Sequence, residues 1–322
     1  MNQFWKEVRL AAVMGLLLPA VLLRAAVALE RKPVEIPVGT EPQYAAETAQ
    51  TRISVPVATE GGVIRMDLGD YLTGVVLAEM PVSFEEEALK AQAVVARTYT
   101  IRAMTKGAKH GDAAVCTDFS CCQGYITEAA FLAKGGTREQ VERIRSLVDD
   151  TAELVLTYEG ELIEATYFSC SGGSTEDAVA VWGTDVPYLQ AVDSPGEERA
   201  AYYSDTVQFS AEEFALALGM RPAGDPATWF GKATYTAGGG VDTMIIGGME
   251  FQGTQLRRAL GLRSTSFTIA AEKNTIIVTT RGYGHRVGMS QYGADAMAVS
   301  GSTFAEILSH YYQGTKLEQW LH

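Results

Sequence analysis

What this sequence lacks first is positive charge. Across 322 residues, 26 lysines and arginines stand against 39 aspartates and glutamates, a formal net charge of −13. A partner held mainly by its phosphates needs a basic face, so the deficit argues against a nucleic-acid binder. Also absent are a low-complexity block and a repeat of fixed period, the marks of solenoids and propellers. There is no G-x-S-x-G elbow, so a serine hydrolase with His285 as base and Ser169 or Ser290 as nucleophile has no support in the pattern. Cysteine is scarce: four residues, three of them (Cys116, Cys121 and Cys122) in one loop.

What is present begins with an apolar N-terminus. Lys6 and Arg9 precede a run from Leu10 to Leu23, broken by Arg24 and resumed through Leu29. The apolar part totals about 20 residues, the length that crosses a bilayer. Arg24 can snorkel to the far interface. Positive charge ahead of the run predicts an inside N-terminus and an exported body, with residues 1–29 as a membrane anchor. Ala26-Val27-Ala28 resembles a signal-peptidase site, so a cleaved signal segment is the alternative. Residues 30–50 carry prolines without apolar periodicity and read as an extended linker.

At this length the body can bury a substantial core. A helix is expected from about Leu68 to Glu79, closed by Pro81. A second should start at Ser83, capped by the Ser83/Glu86 pair, and run to about Met104. Thr137 with Gln140, Ser210 with Glu213, and Thr303 with Glu306 mark further helix starts. "ELVLTY-EG-ELIEATYFS" reads as a hairpin turning at Glu159-Gly160. "SFTIAA" and "TIIVTT" read as strands. Helices and strands in blocks predict an α+β fold with antiparallel strands. A core region over 51–196 contains a cysteine loop at about 107–126. A smaller α/β subdomain over 197–280 is inserted or appended, and 281–322 returns to the core.

"AEMPVSFEEEALKAQAVVARTY" holds four glutamates of unequal promise. Glu85, Glu86 and Glu87 fall at the start of the second helix, where exposed N–H groups favour carboxylates without any chemistry. Glu79 ends an apolar helix beside its unpaired carbonyls, a place that disfavours the ionised form. A carboxyl kept protonated near neutral pH is what a general acid requires. The plainer reading is a partly exposed glutamate at a frayed helix end.

His110, Cys116, Cys121 and Cys122 lie within thirteen positions, a plausible tetrahedral zinc set. A disulfide is equally open in an exported protein. Cys170, in "YFSCSGG", is a bridge partner or a replacement ligand. Four protein ligands leave no open position, so a zinc ion here is structural. The glycine-rich "RGYGHRVGMSQYGA" puts His285, Arg286, Ser290, Gln291 and Tyr292 before a helix, either as donors and a stacking face for a sugar chain or as a capped turn.

Taken together, "AEMPVSFEEEALKAQAVVARTY", "YFSCSGGSTEDAVAVWGTDVPYLQAVDSP", "LRSTSFTI" and "GYGHRVGMSQYGADAMAVSGSTFAEILSHYYQGTKL" resemble the stage II sporulation protein D family, from roughly residue 50 to the C-terminus. The resemblance implies a peptidoglycan lytic transglycosylase of endospore formers. It acts during engulfment from the mother-cell membrane, facing the wall between mother cell and forespore. It implies two partners, an amidase (stage II sporulation protein P) and an integral membrane protein (stage II sporulation protein M). Glu79 falls on the family's catalytic glutamate, and His110, Cys116, Cys121 and Cys122 on its zinc loop. Lys90 and Arg97, seven apart and so on one helical face, are implied to hold the glycan. Ser169, Ser171, Tyr188, His285, Ser290, Gln291 and Tyr292 are implied to help them. Position 121 is cysteine where relatives are also expected to carry histidine, and Arg286 stands where "GHG" is the commoner pattern. Two other functions compete with this one. One is a non-catalytic glycan-binding scaffold that recruits or activates an amidase; the other is a metal-dependent hydrolase using the loop zinc.

Overall fold

The computed structural model describes residues 53–107, 109–221 and 224–320. The expected anchor and linker over residues 1–50 lie outside them. Among the described residues no helix is long and apolar enough to cross a membrane.

Strands β1 (Ser54–Thr59) and β2 (Gly62–Asp67) form an antiparallel hairpin with Val57 opposite Ile64. Asp67 ends the hairpin and caps α1 (Leu68–Glu79), its carboxylate accepting from the Gly69 and Asp70 N–H groups. Helix α1 is buried over most of its length, and Met80 turns the chain extended just before Pro81.

Helix α2 (Glu86–Thr105) starts later than the sequence suggests. Ser83 sits in a tight turn in which the Phe84 N–H donates to the Pro81 carbonyl (3.0 Å), so the Ser83/Glu86 box does not form. Instead Glu85 occupies the cap position, and its N–H donates to the Asp295 carboxylate (2.8 Å). A short β3 (Val115–Cys116) then pairs parallel with β1.

Helices α3 (Glu128–Ala133) and α4 (Arg138–Asp150) follow, the latter with the expected Thr137/Gln140 capping box. The hairpin of β4 (Leu154–Tyr158) and β5 (Glu161–Leu162) turns at Glu159 and Gly160, both at positive φ (52° and 83°), as a two-residue type I′ turn requires. Next come β6 (Tyr167–Phe168) and the single-turn helix α5 (Ala178–Trp182).

The stretch that follows builds its own layer: β7 (Ser204–Ser210), α6 (Ala211–Ala217), β8 (Phe230–Tyr235), β9 (Val241–Ile246), β10 (Met249–Gln252), α7 (Gly253–Ala259), β11 (Phe267–Glu272) and β12 (Thr275–Arg281). They form two three-stranded antiparallel sheets, β10-β9-β8 and β11-β12-β7. The chain ends with β13 (Met289–Ser290), α8 (Gln291–Val299), α9 (Phe304–Tyr311) and β14 (Lys316–Gln319), and β14 joins β4. Strand β13 pairs parallel with β6, so the strands are not all antiparallel. Mixed helices and strands in blocks make this an α+β structure.

Two hydrophobic cores hold these elements. The larger gathers Tyr71, Leu72 and Val75 of α1, Leu89 and Val94 of α2, Ile144 of α4, Leu156 of β4, and Ile307 and Tyr311 of α9. The smaller gathers Phe214, Ile246, Leu256, Ile276 and Val278 from the β7–β12 stretch. Full burial of each such aliphatic or aromatic side chain stabilises by about 1.5–3 kcal/mol.

Candidate active site

Glu79 is the last residue of α1. The chain leaving the cysteine loop folds back over this helix: the Ile126 N–H donates to the Gly74 carbonyl (3.2 Å), and the Tyr125 ring lies against Gly74. Only glycine permits that approach, because a Cβ at position 74 would come within 2.3 Å of the ring. The fold-back brings Gly124 onto Glu79, and its N–H donates a short hydrogen bond to Oε1. Gln291, the first residue of α8, places Nε2 3.5 Å from Oε2. The Tyr167 hydroxyl lies beside the carboxyl and donates to Gln123 Oε1 (3.4 Å).

Burial pushes the Glu79 carboxyl above its ordinary value, and it outweighs the lowering by Gly124, Tyr167 and Gln291. Burial is thus the leading cause. Tyr167 is itself raised well above the usual phenol range, chiefly by burial, and stays a hydroxyl donor.

The nitrogen of His110 and the sulfurs of Cys116, Cys121 and Cys122 all lie within 4.8 Å of one another. His110 Nε2 is 3.3 Å from Cys122 Sγ and 3.6 Å from Cys121 Sγ. Tetrahedral zinc bonds of about 2.0–2.3 Å set ligands roughly 3.3–3.8 Å apart, so the donor set fits that ion. Burial raises Cys122, but the Cys116 backbone, His110 and Tyr99 lower it further, to about 7. Burial and Cys122 push Cys116 up to about 11. None of the four cysteines forms a disulfide, and Cys170 stands apart, donating to Glu197 Oε2 at 3.2 Å.

The remaining expected residues divide. Gln291 reaches Glu79, whereas Arg97 does not. Its guanidinium is 3% exposed and donates to the Val148 carbonyl (2.9 Å), the Leu154 carbonyl (3.3 Å) and Thr151 Oγ1 (3.4 Å). Lys90 Nζ pairs with Glu87 (3.5 Å) and Asp150 (3.4 Å). The two cations do share a helical face, but that face packs on the C-terminal end of α4, where carbonyls welcome positive charge. Arg97 is thus buried, with its donors taken by α4 and the chain that follows it.

Ser171 and Ser290 are likewise enclosed. Both are fully buried, and their hydroxyls donate to Glu197 (2.8 and 2.6 Å). Tyr188 accepts from the Glu164 N–H through its hydroxyl (2.9 Å), and the Ser169 carbonyl accepts from the Tyr292 N–H (3.0 Å). The Tyr292 ring packs edge-on against Phe84 (5.0 Å). His285 Nδ1 accepts from the Val287 N–H (3.1 Å), and burial lowers the imidazole to about 4, so it is neutral at pH 7.

Three residues were not anticipated: Gln123, Gly124 and Tyr167, of which the last two meet Glu79 and Gln123 meets Tyr167. The first two directly follow the cysteine pair, and Tyr167 lies just before "FSCSGG", the signals that could have drawn attention to them. Glu197 was also missed, and nothing local marks it.

A family model described as stage II sporulation protein (SpoIID) matches residues 59–158. Stage II sporulation protein D of Bacillus subtilis (strain 168) is 39% identical over 291 residues, covering 88% of this chain and 84% of that protein. Its counterpart in Bacillus amyloliquefaciens is 38% identical over 277 residues, 84% of this chain and 80% of that protein. An amidase enhancer of Bacillus subtilis (strain 168) is 30% identical over 308 residues, 77% of this chain but 40% of that longer protein. With most of both chains aligned at this identity, the chain belongs to the stage II sporulation protein D family, whose role lies in sporulation.

Proposed function

We propose that this protein is a peptidoglycan lytic transglycosylase with Glu79 as its single general acid and base. The observation that carries the reading is a carboxyl raised by burial at a helix end, with one oxygen fixed and the other loosely held. The Gly124 N–H makes Oε1 an acceptor, which leaves Oε2 to carry the proton. That proton passes to the oxygen linking N-acetylmuramic acid to N-acetylglucosamine as the bond breaks. The carboxylate left behind takes the proton of the muramic acid C6 hydroxyl, which closes onto C1 and yields a 1,6-anhydro end. Ordinary glycosidases need two carboxylates. Here nucleophile and electrophile sit on one sugar, so the attack has the high effective concentration of an intramolecular step.

His110, Cys116, Cys121 and Cys122 would hold a structural zinc ion, a closed set with no position for substrate. The ion would brace the loop whose far end delivers the Gly124 N–H. The reading places the N-terminal segment in the membrane and the body outside the cytoplasm. Its partners are a cell-wall amidase (stage II sporulation protein P) and a membrane protein (stage II sporulation protein M).

The test is product analysis on glycan strands stripped of stem peptides. The wild type should release 1,6-anhydro ends and Glu79→Ala none; anhydro ends in the Glu79→Ala digest refute the assignment. The similarity to an amidase enhancer favours a second reading, a glycan-binding scaffold that stimulates an amidase without chemistry of its own. That reading is selected if the wild type yields no anhydro ends alone yet accelerates the amidase.

A further inference from the structure

Three polar side chains, Tyr167, Gln123 and Thr100, form a line of hydrogen bonds that leads from Glu79 into the interior. Thr100 is fully buried on α2, and its one hydroxyl proton goes to the Ala96 carbonyl (2.7 Å). Toward Gln123 its oxygen can therefore only accept, and it takes Nε2 at 3.0 Å. That contact fixes the two ends of the buried amide. Gln123 Nε2 meets Thr100 and the Tyr71 hydroxyl (3.4 Å), and Oε1 is left facing the Tyr167 hydroxyl (3.4 Å).

The Tyr167 hydroxyl thus reaches two acceptors, Gln123 Oε1 and the Glu79 carboxyl. A phenol has one proton and serves one of them at a time. Gln123 is fully enclosed, so Oε1 without a donor is costly. A protonated Glu79 offers only a neutral acceptor in exchange. An ionised Glu79 offers a charge-assisted hydrogen bond, roughly twice as strong. The carboxyl is faced by Gly124 from the cysteine loop, Gln291 from α8 and Tyr167 from β6. Its charge is felt by two phenols, Tyr71 and Tyr167, both pushed up by burial and so uncharged themselves.

We propose that Tyr167 is a positioning residue for Glu79, its hydroxyl donating to Gln123 Oε1 while the carboxyl is protonated and turning onto the carboxylate once that proton has left. The phenol keeps its own proton and rotates about its C–O bond, so no bond is made or broken. Turned to the amide, it withholds a donor from the carboxyl and favours the acid. Turned to the carboxylate, it supports the base that must next take a proton. This role rests on the reading of Glu79 as general acid and base given above.

In the full chain labelled with carbon-13 at the glutamate carboxyls, the resonance lost in Glu79→Gln reports the titration of Glu79. Its midpoint should rise by about one pH unit in Tyr167→Phe, where the carboxylate loses a charge-assisted donor. It should fall by about half a unit in Gln123→Met, where the competing acceptor is gone. Thr100→Val keeps the side chain's shape but frees the amide to turn Nε2 toward Tyr167, so it should also lower the midpoint. It replaces Gln123→Met if circular dichroism shows that variant unfolded. A midpoint that does not rise in Tyr167→Phe, or does not fall in the folded amide variant, overturns the proposal; a phenol that only fills space would not move the two in opposite directions. Tyr167→Phe should also slow the release of anhydro ends about tenfold, with KM for denuded strands unchanged. The titration needs no substrate, so the two readings fail separately. Missing anhydro ends with both shifts intact remove the chemistry and leave the phenol's two positions, and anhydro ends without the shifts remove only the latter.

Discussion

Two glutamates in the larger half of this protein are held in opposite ways. Glu197 is fully buried, and its two oxygens accept from six donors. Oε2 takes the Ser171 N–H (2.7 Å), the Ser171 hydroxyl (2.8 Å), the Gly172 N–H (2.8 Å) and the Cys170 thiol (3.2 Å), while Oε1 takes the hydroxyls of Ser194 and Ser290 (2.6 Å each). Glu79 has one short backbone bond, a phenol beside it and a long contact from Gln291. A carboxylate wrapped by donors on both oxygens pins three chain segments together and has no lone pair left for a ligand. One that is buried but under-supplied keeps a labile proton. Burial alone therefore does not separate Glu79 from Glu197; the supply of donors does.

The comparison breaks most sharply by substitution. Glu79→Gln keeps the shape and removes the proton, so turnover of denuded glycan strands should fall roughly 10²–10⁴-fold, the usual span for a general acid. The melting temperature should not fall with it. Glu197→Ala should do the reverse. It leaves the Ser171 and Gly172 N–H groups buried without acceptors, at roughly 1–3 kcal/mol each. Chemical denaturation should show a loss of about 4 kcal/mol. Equal effects of both variants on stability would erase the distinction.

Metal removal comes next. Purified protein should carry about one zinc ion per chain, and Cys116→Ser should lose it. The loop would then present Gly124 to Glu79 less firmly, and activity should drop about 10–100-fold, as for lost support around a site. Activity at the wild-type level in metal-free protein would cut the link between loop and acid.

A smaller effect is the pH response of stability. Glu79 has a folded-state value above its unfolded one, so between the two the native state binds more protons. Stability from this group is complete below the ordinary carboxylate range and is lost as pH rises through the folded value. Glu79→Gln cannot ionise, so its melting temperature should gain on the wild type between pH 4 and pH 8. A gap that stays constant across that range would mean the carboxyl is not perturbed.

Local features were legible in the sequence because their partners are local. The boxes at Thr137/Gln140, Ser210/Glu213 and Thr303/Glu306 each close within three residues, and the Glu159-Gly160 turn within two. Glu79 was legible as a polar residue ending an apolar helix. Glu197 was not, since its partners lie as far off as Ser290, 93 positions away. Arg286 was noticed as a departure from glycine, and its φ of 68° shows why glycine suits the position. That its side chain reaches Glu176, 110 positions away, could not be read from spacing. The cations of α2 illustrate the same limit. Their spacing correctly put Lys90 and Arg97 on one face, but periodicity does not say what that face meets.

Lys90 should give the smallest effect, and it tests that last point. Its ammonium lies between the carboxylates of Glu87 and Asp150, with both partners partly exposed. Pairs of this kind stabilise by at most about 1 kcal/mol and are screened by salt. Lys90→Ala should therefore cost less than about 1 kcal/mol, and the cost should shrink as ionic strength rises. Binding of glycan strands should be unaffected, because two carboxylates already occupy the charge that a sugar chain would need. A large rise in KM for denuded strands, with stability intact, would return Lys90 to the substrate and make the α2 face shared ground between packing and binding.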